Sequence, residues 1–72
     1  MKLASNEKIV VHYSDCTTEE YTTIIGAQEG ILETITGCDF ACSVDAVQVV
    51  DENTGKEIRV LGCKWGLTLE EN

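Results

Sequence analysis

Apolar and polar positions alternate most plainly near the start of the chain, in EKIVVHY (residues 7–13). Ile9, Val11 and Tyr13 fall on one face there, and Lys8, Val10 and His12 on the other. That period of two predicts a strand with one buried face. From Tyr21 the period changes. Tyr21, Ile24, Ile25, Gln28, Ile31, Leu32 and Ile35 recur at helical spacing and predict an amphipathic helix ending near Gly37. Thr17 and Glu20 match the S/T-x-x-E capping box, so the helix is expected to begin just after Thr17. A β-hairpin of YTTII and ILETIT around GAQEG competes with this reading, because threonine and isoleucine favour strands.

Residues 44–63 predict a second hairpin, with VDAVQVVD and KEIRVLGC closed by ENTG. Pairing Asp51 with Lys56 sets Val49 opposite Ile58 and Val47 opposite Val60 on one wholly apolar face. The opposite face, with Val10, Ala46, Val50 and Leu61, is mixed. Phe40 is expected to plug the end of the core, and Trp65 and Leu67 to fold back on the sheet edge. The predicted order is strand-helix-strand-strand: an α+β fold with one amphipathic helix on a three-stranded mixed sheet. Its first two strands run parallel if they pair directly. The alternative is an all-β chain of five short strands.

At 72 residues this is one small domain, with loose ends expected at about 1–6 and 69–72. A core of this size is marginal, since such a chain buries only about 60–65% of its unfolded surface. Charge changes the picture more than length does. Thirteen acids against five bases give −8, and no Lys or Arg occurs between Lys8 and Lys56. So negative a surface repels phosphate, which disfavours nucleic acid and anionic membranes as partners. No leader and no membrane-spanning run is expected, and a cytoplasmic location follows as an expectation.

Gly26 and Gly30 interrupt the helical pattern, each at a cost of about 0.8–1 kcal/mol against alanine. A wheel places them opposite the apolar stripe, beside Glu19, Thr23 and Glu33. Such a face either lets another backbone approach closely or is a tolerated defect. Read as a site, Glu19, Thr23, Gly26, Glu29, Gly30 and Glu33 form a partner-binding flank.

Cys16, Cys38, Cys42 and Cys63 are read first as buried free thiols. A Cys42–Cys63 disulfide is one alternative, and a metal site of Cys38, Cys42 and Cys63, with His12 as a conceivable fourth ligand, is another. Cys16 is left out, because a helix over 17–36 would hold it about 30 Å from Cys38. No nucleophile–base pair, no carboxylate pair in an apolar pocket and no phosphate loop is present, so neither an enzyme nor a cofactor is expected.

The leading expectation is a small acidic module that binds a protein with a basic surface and modulates or blocks it. Phage-encoded inhibitors of host enzymes and defence nucleases share this size and sign, an analogy of type that no motif supports. A cysteine-based metal or redox module and a homo-oligomeric accessory protein, a homodimer included, are the alternatives.

Overall fold

A computed structural model describes residues 3–70 of the chain. Five strands and one helix follow in the order β1 (Glu7–Tyr13), β2 (Thr18–Tyr21), α1 (Ile24–Gly37), β3 (Val44–Asp51), β4 (Glu57–Lys64) and β5 (Thr68–Glu70). The strands form one sheet in the order β2-β1-β3-β4-β5, and every neighbouring pair is antiparallel. The fold is α+β, as the sequence predicts, but the sheet has five strands rather than three. It is antiparallel rather than mixed.

The cause of that difference is TEEY. These residues form β2, which turns the chain back along β1 before the helix begins. β3 therefore meets β1 antiparallel. The capping box at Thr17 and Glu20 is not used. Thr23 is the N-cap instead, in extended geometry, with its Oγ1 accepting from Gly26 N–H at 2.9 Å. Ile24 and Ile35 both lie in the helix, so the competing hairpin over this segment does not form.

Helix α1 buries Ala27, Ile31 and Ile35, an i, i+4 row, against Ile9, Val11 and Tyr13 of β1 and Val47 and Val49 of β3. Each buried isoleucine contributes about 1.5–3 kcal/mol. The expected stripe was rotated from this one: Ile25 and Leu32 are exposed, and Tyr21 belongs to β2.

The helix ends in a Schellman motif. Asp39 N–H donates to Thr36 C=O and Phe40 N–H to Ile35 C=O. Asp39 sits at φ 52°, in the left-handed position that glycine usually fills.

The β3–β4 hairpin begins as predicted. Asp51 N–H donates to Lys56 C=O at 2.8 Å, and Val50 pairs with Glu57. Asp51 Oδ1 accepts from the backbone of Asn53 and Thr54, and Gly55 takes the left-handed turn position at φ 73°. A β-bulge then shifts the register, so Val49 faces Arg59 and Val47 faces Leu61. The extra residue is Ile58. Leu61 joins the core, whereas Ile58 and Val60, expected inside, are about half exposed (46% and 45%). Arg59, brought onto the helix side, pairs with Glu7 at 3.0 Å.

β5 overlaps the segment expected to be loose, and Leu69 is buried in the core. Trp65 and Gly66 both have positive φ, and Leu67 N–H donates to Lys64 C=O, as in the tight turns that join hairpin strands. Leu3 also packs on the core, and residues 1, 2, 71 and 72 lie outside the described residues.

Candidate functional site

Tyr21 explains one of the two helix glycines, Gly30, and the helix cap explains the other, Gly26. Its ring leaves β2 on the helix side of the sheet and lies against the first half of α1. A Cβ on Gly30 would stand 2.0 Å from Tyr21 Oη and 2.4 Å from its Cζ. A Cβ on Gly26 would stand 2.8 Å from Thr23 Oγ1, the capping oxygen. The close approach that Gly30 permits is thus made within the chain, by the tyrosine that ends β2.

Beside this contact runs an open groove of about 540 Å³, lined by Glu19, Tyr21, Gly26, Glu29, Gly30 and Glu33, then by Thr34 and the helix end. Five of the six residues singled out from the sequence line it. Thr23, the sixth, holds the helix start instead. Glu19 comes from β2 rather than from the helix, and this strand origin was not anticipated.

The groove is negative. Glu19, Glu29 and Glu33 line it, and among the described residues no Lys or Arg does. Lys8 pairs with Glu20 at 2.9 Å, but both side chains lie on the opposite face of the sheet. At the groove floor Tyr21 Oη donates to Glu19 Oε2 at 2.8 Å. Burial first, then this hydrogen bond, hold the Tyr21 phenol well above its ordinary value of 10.0, and the neighbouring Tyr13 adds to the effect. Tyr13 is itself a core residue, 2% exposed.

A second, smaller hollow of about 210 Å³ lies beyond the C-terminal end of the helix. Phe40 and Trp65 stand at it with Ile35, Cys42 and Leu67. Phe40 does not plug the core and Trp65 does not cover the sheet: they are 64% and 85% exposed. Each is held outward by a left-handed backbone, at φ 60°.

The cysteines do not converge. Cys38 and Cys42 are bonded to each other across the helix end, with Cα atoms 6.5 Å apart. This replaces both the free thiols expected there and the Cys42–Cys63 pairing. Cys16 is free and exposed, and Cys63 is free and partly buried. Burial pushes the Cys63 thiol above its ordinary value. Among the described residues no three His, Cys, Asp or Glu side chains come together to hold a metal. The alternative metal set of Cys38, Cys42 and Cys63 therefore falls. The reason given for leaving out Cys16 also changes, since it precedes a strand and not a helix.

His12 points to the open sheet face. Its Nε2 is 2.5 Å from Gln48 Oε1, while Gln48 Nε2 donates to Glu57 at 2.8 Å. Gln48 so oriented makes His12 Nε2 the donor. The ring is engaged in a surface chain rather than beside a thiol.

The chain matches no protein-family model, no curated protein and no solved structure. No helix among the described residues is long and apolar enough to cross a membrane.

Proposed function

We propose that this protein is a small binding module that docks a basic surface of a protein partner and modulates or blocks it, without catalysis of its own. One observation carries the reading: Glu19, Glu29 and Glu33 come from two elements and line one groove, with no Lys or Arg of the described residues among its walls. Carboxylates with no cation beside them in a concave wall concentrate negative potential there. A Lys or Arg side chain is the complement, and Arg gains most through paired hydrogen bonds to carboxylate. A partner surface made for nucleic acid would suit this groove, which is the sense in which an inhibitor of a nuclease is included.

The test is affinity capture from extract, followed by measured affinity of the purified partner. The wild type is compared with the Glu19→Gln, Glu29→Gln, Glu33→Gln variant at about 0.05 M and about 0.5 M salt. The reading expects a partner whose binding falls in the variant and falls with salt. A partner held equally by both proteins at both salts would contradict it.

A further inference from the structure

The two edges of the sheet are not alike. At β5 the side-chain amide of Gln28 reaches across from the helix. It donates from Nε2 to Leu67 C=O, and its Oε1 accepts from Leu69 N–H at 2.8 Å. Backbone groups along that edge are thereby occupied. At the other edge β2 has β1 on one side and, among the described residues, no strand on the other.

The register says which groups of β2 face outward. Tyr13 N–H donates to Thr17 C=O, so this opposed pair is a hydrogen-bonded one. Alternation along the antiparallel ladder then points Glu19 and Tyr21 inward, to Val11 and Ile9. Thr18 and Glu20 turn their N–H and C=O groups away from β1. An edge of this kind is a template for another chain.

We propose that β2 accepts an extended basic segment of the partner as a sixth strand, its backbone on Thr18 and Glu20 and its alternate side chains in the acidic groove. The proposal deepens the docking reading above and rests on it. A strand added beside β2 places the residues opposite Glu19 and Tyr21 on the helix side, next to the groove. Those residues repeat about every 6.6–6.8 Å along the added strand. Glu29 and Glu33 are one helical turn apart, a rise of about 6 Å, so the spacing of two successive inward cations is close to that of the two carboxylates. A second copy of this chain is a poor occupant, because pairing β2 with β2 sets Glu19 and Glu20 against their own kind. Main-chain pairing supplies affinity and alternate side chains supply selection.

The experiment uses a synthetic peptide, acetyl-Thr-Lys-Val-Arg-Val-Lys-Thr-amide, and two N-methylated versions, one for each alternating set of amides. All three carry the same charge. Strand addition predicts that one methylated set is tolerated and the other weakens binding about tenfold or more, with amide shifts centred on Thr18 and Glu20. The Thr18→Pro protein, which keeps every carboxylate, is expected to lose binding to a similar degree. Equal binding of all three peptides overturns strand addition and leaves charge docking standing. No binding of the parent peptide at about 0.05 M salt also overturns it, and the capture experiment then judges the docking reading separately.

Discussion

Gly30 has no room for a methyl group. Alanine there gains about 0.8–1 kcal/mol of helix propensity but must move the Tyr21 ring, and overpacking of this kind costs about 1–3 kcal/mol. Gly37, with nothing within 4 Å of the added carbon, is the control. Chemical denaturation is expected to show Gly30→Ala destabilised and Gly37→Ala stabilised by about 0.4–1 kcal/mol. Asp39 makes the converse point. It occupies a left-handed cap at φ 52°, so Asp39→Gly is expected to stabilise by about 1 kcal/mol in the same assay. Asp51 gives a pH dependence. Hydrogen bonds from the backbone of Asn53, and then Thr54, hold its carboxyl below the ordinary 3.8. A lowered folded value means that this stabilisation is complete above the ordinary value and is lost as pH falls through the folded one. Asp51→Asn keeps the acceptor without the charge. Its urea midpoint is expected to fall less than the wild type's between about pH 5 and about pH 2.

At the scale of elements, the first strand, the helix and the start of the second hairpin were readable because their periods are clean. Two short features were not. TEEY overlaps a capping-box match and has too few residues to show a period, so the pattern places the helix cap six residues too early. The Ile58 bulge hid because Ile58 and Val60 make the wholly apolar phase of IRVL, while Leu61 shares its phase with Arg59; only packing selects Leu61. The last strand did leave a signal, since KWG followed by Leu67-Thr68-Leu69 is a glycine-containing turn and then an alternation. Gln28 could not be foreseen as a clamp, because an amide inside an apolar stripe says nothing of its partner. Its two bonds hold β5 to the helix. Gln28→Ala leaves Leu67 C=O and Leu69 N–H without that partner, and is expected to cost about 1–3 kcal/mol. Faster hydrogen exchange at Leu69, with β1 and β3 unchanged, would be its local mark.

For the whole molecule, charge distribution was clear from the sequence and its geometry was not. The run without bases between Lys8 and Lys56 announced a negative surface. That Glu19 and the helix glutamates share one wall depends on β2, an element the periodicity missed. Cysteine placement likewise needed the chain path, which joins Cys38 to Cys42 at the helix end. Unreduced native protein is expected to give one fast thiol, Cys16, and one slow one, the half-buried Cys63. Treatment with a dithiol should expose two more in a thiol titration.

The groove, its acidic wall and the free strand edge all depend on Tyr21 lying in β2 with its ring across Gly30. The most direct measurement is the nuclear Overhauser spectrum of the folded protein. Strong cross-peaks between the Tyr21 ring protons and the Gly30 α-protons, with a cross-strand contact from Tyr21 to Ile9, are the expected result. Sequential helical amide contacts running from Thr18 through Tyr21, with no Tyr21–Gly30 cross-peak, would contradict it.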